Sequence, residues 1–329
     1  MEGFDRKFTD FPEYILEVTK EIWEDRGIAA LNDYYSPQIV VRSPASVVVG
    51  SKRVIGATMS TLAEFPDRQL LGEDVIWSGS PETGMLSSHR IISTATHTYD
   101  GVYGGATGKK LRYRIIADCH AKNNRIDDEW LIQDQTAIVK QIGLRPDKYA
   151  RDLIAQEGGP ESCIKPLVLE TNKAEIYRGK GNTNKWGKLH ADLLQRIMRA
   201  DMSAITAFYD RAATLHYPGG DTVHGWAAAD AFWMGLRAAF PDADFCIDHH
   251  IGRNDTNMPP RSAIRWSLNG KHSGWGAFGR PTGAEVYIMG ISHAEWGELI
   301  HGKVSLRREW TLFDETAVWK QILLQTGDV

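Results

Sequence analysis

The sequence predicts an α+β protein of two tandem domains, each a curved antiparallel sheet with helices packed against it. Three observations carry this. The chain has 329 residues, and at roughly 100–200 residues per domain that length provides two hydrophobic cores. Its two halves match at a nearly constant offset. Within each half, apolar residues recur at helical spacing early and in strand alternation late.

The repeat is read residue by residue. Phe65-Pro66-Asp67 returns as Phe240-Pro241-Asp242, an offset of 240 − 65 = 175. The same offset pairs Tyr34 with Tyr209, Gly50 with Gly225, Met59 with Met234, Arg90 with Arg265, His97 with His272, and Thr107-Gly108 with Thr282-Gly283. After a short insertion it becomes 310 − 130 = 180, pairing Glu129-Trp130 with Glu309-Trp310, Asp134 with Asp314, and Lys140-Gln141-Ile142 with Lys320-Gln321-Ile322. Domains are therefore predicted over 1–144 and 189–329, joined by a linker over 145–188.

Each half opens with a helix. Ile15, Val18, Ile22 and Trp23 share one face, as do Leu193, Leu194, Ile197 and Met198. A second helix, over Ala228–Phe240 in the later half, stops at the proline. Strands follow, the last being Glu309-Trp310-Thr311-Leu312-Phe313-Asp314. In the linker, Arg145–Gln156 reads as a short helix broken by Gly158-Gly159-Pro160, and the glycine- and asparagine-containing run Tyr177–Lys188 as an exposed loop.

Composition excludes several classes. With 42% hydrophobic and 24% charged residues the chain is an ordinary globular protein. Its formal charge of −4 provides no basic excess for nucleic acid. No run approaches ~18 apolar residues, so no membrane span or membrane partner is expected. Cys119, Cys163 and Cys246 form neither a disulfide framework nor a zinc pattern, and the N-terminal residues lack the apolar core of a signal peptide. A cytoplasmic protein is expected. No metal and no cofactor are expected either: His249-His250 diverge on a strand, and His293, Glu295 and His301 gather only if their loop folds back.

The series Arg265-Trp266-Ser267-Leu268-Asn269-Gly270-Lys271-His272-Ser273-Gly274, Gly279-Arg280-Pro281-Thr282-Gly283, Gly302-Lys303-Val304 and Glu309-Trp310 followed by Asp314 resembles the SnoaL-like polyketide cyclases. These belong to the nuclear transport factor two-like superfamily, which includes ketosteroid isomerases. The resemblance covers most of 189–324. The first half shows it through His97, Gly104, Thr107-Gly108, Glu129-Trp130 and Asp134, without the proline before Thr107. It implies cone-shaped domains with a pocket at the wide end. It also implies sheet-to-sheet dimerisation, which a tandem chain can satisfy internally as a pseudo-dimer, with further homo-oligomerisation left open.

Strand parity puts Trp310, Leu312 and Asp314 on one face and Glu309, Thr311 and Phe313 on the other, with Trp130, Ile132 and Asp134 repeating the first set. An Asp beside a Trp is partly desolvated and suited to acid–base work near neutral pH. In the family an Asp on the final strand is the acid/base catalyst, so Asp314 and Asp134 are the expected catalytic residues. The alternative is that each caps backbone at a strand end. His272 and His97 either steady an enolate or hold a turn. Substrate contacts are expected from Tyr34, Tyr209, His216, Tyr217, His224, Trp226, Trp130 and Trp310. Arg265 joins them as a carboxylate clamp, unless, as preferred for it and Arg90, it pairs with Glu309 or Glu129. Two diverged pockets are predicted, the second better equipped, with Trp233 in the core. Chemistry of this kind is isomerisation, cyclisation or dehydration next to a carbonyl on a small, largely apolar substrate. The rival readings are a non-catalytic ligand-binding or scaffolding module, and a division of labour with the second half catalytic.

Overall fold

The computed structural model describes residues 1–172, 176–298 and 304–328. In the first half, α1 (Phe11–Trp23) and the single turn α2 (Leu31–Tyr34) lead into β1 (Tyr35–Ser43), β2 (Ser46–Val49) and α3 (Ser51–Glu64). Four long strands follow, β3 (Gln69–Ser80), β4 (Gly84–Thr96), β5 (Lys110–Lys122) and β6 (Arg125–Gln133), and then α4 (Gln135–Ile142). Helix α5 (Pro146–Gln156) begins the connection. The second half repeats the order: α6 (Lys185–Met198), α7 (Ser203–Phe208), β7 (Tyr209–Tyr217), β8 (Asp221–His224), α8 (Gly225–Ala239), β9 (Asp244–Arg253), β10 (Arg261–Lys271), β11 (Glu285–Glu298), β12 (Val304–Leu312) and α9 (Glu315–Thr326).

Local signals explain the helices. Asp10 caps α1 by accepting from the Glu13 amide, Pro12 sits in its first turn, and Phe11, Tyr14, Ile15, Val18 and Ile22 form its buried face. Asn184 caps α6 in the same way, through the Trp186 amide.

The sheets run β2-β1-β6-β5-β4-β3 and β8-β7-β12-β11-β10-β9. The expected antiparallel sheet is in fact mixed. The β1–β6 and β7–β12 pairs are parallel, because after the β1–β2 and β7–β8 hairpins a helix carries the chain to the far edge of the sheet, from which the antiparallel run returns to β1 and β7.

Strand register corrects the repeat at one place. Tyr35 lies opposite Ile126, and Tyr209 opposite Leu306. Ile126 and Leu306 are equivalent at the offset 306 − 126 = 180, so the counterpart of Tyr209 is Tyr35 rather than Tyr34. Over β1 the offset is 209 − 35 = 174, which also aligns Pro44 with Pro218, and one extra glycine in the turn Gly219-Gly220 restores 175. A one-residue slip exchanges the faces of a strand.

Each sheet is covered on both sides. One face packs on its own helices; the other meets the opposite sheet in a shared core of Ile76, Leu86, Ile116, Trp130 and Ile132 with Ile251, Met289, Ile291, Trp310 and Leu312. Helix α5 docks on α9 through Ala150, Ile154 and Leu323, and Lys320 pairs with Glu157 at 2.5 Å. The run expected as an exposed loop is also held down: Gly181 bridges to His250 at φ +106, where an added Cβ would lie 1.6 Å from the His250 carbonyl, and helix begins at Lys185.

Candidate functional site

Between the helices and the concave sheet face of the first half lies a cavity of about 270 Å3. Ile15, Val18 and Ile22 of α1, Ala57, Thr58 and Thr61 of α3, and Ile91, Ile115, Ala117 and Leu131 of the sheet make most of its wall. Set into that wall are Tyr35, Arg68, His89, Glu129 and Gln133.

The second half has the same frame but fills it. At the repeat offsets Ser43 becomes Tyr217, Ala57 Phe232, Thr58 Trp233, Ile91 Trp266 and Gln133 Phe313. Tyr217 stacks on Phe232 at 3.7 Å, and Trp266 packs against Trp233 and Phe313 at 6.2 and 6.3 Å between ring centroids. Gly290, the counterpart of Ile115, makes room for Trp266: a Cβ there would fall 2.0 Å from the indole. The expectation that the second half is the better equipped is therefore reversed. Its aromatics occupy the space that the first half leaves open.

Both cones keep a carboxyl at the same place. Burial raises Glu129 to about 7, against the pull of its hydrogen bond with Tyr35. Glu309 is likewise pushed up to about 7 by burial, although Tyr209 and Tyr217 each donate to it at 2.9 Å and Thr311 donates at 2.8 Å. His89 is held down to about 4 by burial and stays neutral, with Nδ1 3.2 Å from the Ser87 hydroxyl. Glu129 and His89 thus face one cavity, burial raising the carboxyl and lowering the imidazole.

The residues expected to be catalytic lie elsewhere. Asp314 caps α9, its Oδ1 accepting from the amides of Thr316 and Ala317 at 2.8 and 3.2 Å and from the Thr316 hydroxyl at 2.6 Å. Burial moves it up to about 6. Asp134 caps α4 through the Ala137 amide at 3.0 Å and reaches across to Gly219 and Gly220 of the other half at 2.8 and 2.9 Å. Neither borders the cavity. His272 and His97 are buried and bond through Nδ1 to Thr282 and Thr107, each at 3.1 Å, holding the turns they begin.

Parity separated the two faces: the cavity of the first half lies on the face of Glu129, and the face of Trp310, Leu312 and Asp134 borders a cleft between the halves. Trp130 and Trp310 face the opposite sheet, where Arg265 lies 3.6 Å above Trp130 and Arg90 3.6 Å above Trp310. Arg265 bonds Asp118 at 2.9 Å and Arg90 bonds Glu73 at 3.0 Å, so neither takes the expected Glu309 or Glu129. Those glutamates point into the cones.

Of the expected substrate contacts, Tyr209 and Tyr217 are consumed by Glu309. His216 stacks on Trp310 at 5.3 Å and joins Asp134, Tyr217 and Trp310 around a cleft of about 180 Å3 between the halves. Trp226 donates to the Tyr209 carbonyl at 2.9 Å, His224 is exposed beside α8, and Tyr34 donates to Glu21 at 3.0 Å outside the cavity. Trp233 is in the core as expected. Among the described residues no group of three or more His, Cys, Asp or Glu side chains could hold a metal; His301 lies outside the described residues. Sequence reasoning missed Tyr35, Arg68, His89 and Gln133. The small-for-large exchanges at Ala57/Phe232 and Thr58/Trp233 were the signal that could have found the cavity.

Two family models match the chain, SnoaL-like polyketide cyclase over residues 13–142 and SnoaL-like domain over 191–306. No curated protein matches it. Similar solved structures include a candidate polyketide cyclase from Acidithiobacillus ferrooxidans, 19% identical with a TM-score of 0.34, covering 40% of this chain and 92% of its own. A candidate SnoaL-like polyketide cyclase from Jannaschia sp. CCS1 is 14% identical, with a TM-score of 0.34 and coverage of 43% and 96%. A nuclear transport factor 2-like superfamily protein from Salmonella enterica serovar Typhimurium is 12% identical, with a TM-score of 0.32 and coverage of 38% and 86%. With one family match on each repeat, the chain is a tandem SnoaL-like protein.

Proposed function

We propose that the first half is the working half: a cofactor-independent acid–base enzyme acting next to a carbonyl on a small, largely apolar molecule, with Glu129 as the proton carrier. The observation that supports this is a carboxyl raised to about 7 in the wall of a mostly apolar cavity. Such a group is half ionised near neutral pH, where a general base and its conjugate acid are both effective. In the proposed step the Glu129 carboxylate takes a proton from the carbon beside the carbonyl. The electron pair of that C–H bond moves into the enolate, whose oxygen receives a hydrogen bond from neutral His89. The same carboxylic acid then returns the proton at a second carbon, which completes an isomerisation, or to a leaving hydroxyl, which completes a dehydration. Tyr35 keeps Glu129 oriented between the two transfers. The second half serves as the built-in pseudo-dimer partner, its sheet covering the back of the working one.

The test is a small-metabolite extract incubated with wild type, Glu129→Gln and Asp314→Asn protein and read by untargeted mass spectrometry. A compound consumed by wild type and Asp314→Asn but spared by Glu129→Gln supports the reading. Conversion unaffected by Glu129→Gln ends it.

A further inference from the structure

Five arginines are buried among the described residues: Arg42, Arg68, Arg90, Arg261 and Arg265. Four carry a carboxylate partner. Arg42 meets Asp128 at 2.5 Å, Arg90 meets Glu73 at 3.0 Å, Arg265 meets Asp118 at 2.9 Å, and Arg261 is bonded to Asp74 and Asp255. Arg68 is the exception. Only 4% exposed, its Nε donates to the Ser93 hydroxyl at 3.2 Å and one terminal nitrogen to the Gln133 side-chain oxygen at 3.2 Å. The rings of Trp23 and Tyr113 lie 4.5 and 5.8 Å from the guanidinium. Every one of these partners is neutral. A guanidinium cannot shed its proton, and a buried charge without a counterion is costly, so this arrangement suits an anion that arrives from outside the chain.

Arg68 and Gln133 are both in the cavity wall, and the second terminal nitrogen, Nη1, makes no hydrogen bond within the described residues. The second half has discarded the same chemistry together with the space. Its Phe-Pro-Asp is followed by Ala243 where the first half has Arg68, and Phe313 replaces Gln133. Gln133 stands four residues beyond Glu129 on the same face of β6, which separates the two by about 14 Å along the strand at ~3.4 Å per residue.

We infer that the first-half cavity takes an elongated monoanion, a carboxylate whose charged end is held by Arg68 while its apolar body extends along the cavity toward Glu129. This rests on reading that cavity as the functional site. One guanidinium whose partners are a hydroxyl, a side-chain amide and two rings matches the single charge and planar fork of a carboxylate better than a dianionic phosphate. At about 270 Å3 the cavity lies at the small end of ligand pockets, roughly 300–1,000 Å3, so the molecule it takes is small.

The experiment is titration calorimetry with 4-phenylbutyrate and its neutral amide, on wild type, Arg68→Gln, Arg68→Lys and Glu129→Gln. Wild type is expected to bind the acid at least about tenfold more tightly than the amide. Arg68→Gln is expected to erase the difference, Arg68→Lys to keep part of it, and Glu129→Gln to keep it. Equal affinity for acid and amide, no saturable binding of either, or a preference that survives Arg68→Gln overturns the inference. Melting temperatures give a second readout: removing an unpaired buried charge leaves Arg68→Gln as stable as wild type or more so, whereas a purely structural arginine would lower it without altering selectivity. The two proposals fail separately. An Arg68-dependent preference with turnover intact in Glu129→Gln keeps the carboxylate site and removes the acid–base reading. Glu129-dependent turnover on compounds that Arg68→Gln binds equally well does the reverse.

Discussion

The guanidinium of Arg265 lies 3.6 Å above the ring of Trp130 in the opposite half, and pseudo-symmetry returns the contact as Arg90 above Trp310 at the same distance. The two contacts end differently. Arg265 continues to Asp118 at 2.9 Å, whereas Arg90 meets His293 Nδ1 at 3.1 Å, Asp118 and His293 being equivalent at the offset 293 − 118 = 175. Burial raises Asp118 even with Arg265 beside it. Arg265→Met leaves that carboxylate buried and unpaired, and is expected to cost about 3–5 kcal/mol in urea denaturation. Adding Asp118→Asn should recover more than about half of the loss, because the double variant no longer buries a lone charge. Equal destabilisation of the single and double variants would sink this account of the interface.

The open cone can be closed with the second half's own residues. Ile91→Trp with Ile115→Gly reproduces Trp266 over Gly290 inside the first half. The double variant should fold, keep its melting temperature within a few degrees, and lose binding and turnover by about 100-fold or more as the cavity fills. Retained turnover in a folded variant would place the chemistry outside this cavity.

Asp314→Asn separates the cap from the catalyst. Asn caps a helix about as well as Asp, so the variant is expected to keep wild-type stability and turnover within a few-fold of wild type, whereas Asp314→Ala, which removes the cap of α9, should cost roughly 1 kcal/mol. Glu129→Gln should lower turnover by about 100-fold or more without lowering stability above about pH 7, where the buried carboxylate is itself a cost. With Glu129 as the proton acceptor, wild-type kcat/KM rises as pH passes upward through about 7 and then levels. A profile flat across that range would contradict the role.

Glu309 gives a pH dependence of stability whose direction is set by burial. Its folded value is raised from the ordinary 4.5 to about 7, so between those values the folded chain keeps a proton that the unfolded chain has released. Stability therefore falls as pH rises through this window, and the cost is complete above it. Glu129 acts in the same direction. Denaturation at about pH 5 and about pH 8 should show the decline in wild type and a smaller one in Glu309→Gln. A decline of equal size in both would mean that Glu309 does not carry it.

Much of this architecture was legible in the chain. The offset of 175, the helix face Ile15, Val18, Ile22, and the alternation in Glu309–Asp314 led to two α+β repeats, and the structure has them. The site was less legible. Parity sorted Glu309 from Trp310, yet both faces of β12 are buried, one by helices and one by a second sheet, so hydrophobicity could not say which face was the pocket. The doublet Tyr34-Tyr35 hid the strand register, because the match of Tyr34 to Tyr209 at the prevailing offset masked the one-residue slip that makes Tyr35 the partner of Glu129.

The amino-acid sequence by itself determined the duplication, the order of elements and the carboxyl shared by both cones, since these follow from local periodicity and from identities repeated along the chain. Tertiary structure alone decided which cone is open. Whether Ala57, Thr58 and Ile91 leave a cavity, or Phe232, Trp233 and Trp266 close one, depends on side chains from four elements meeting in one small volume. That sum of volumes is settled in three dimensions and has no period to read.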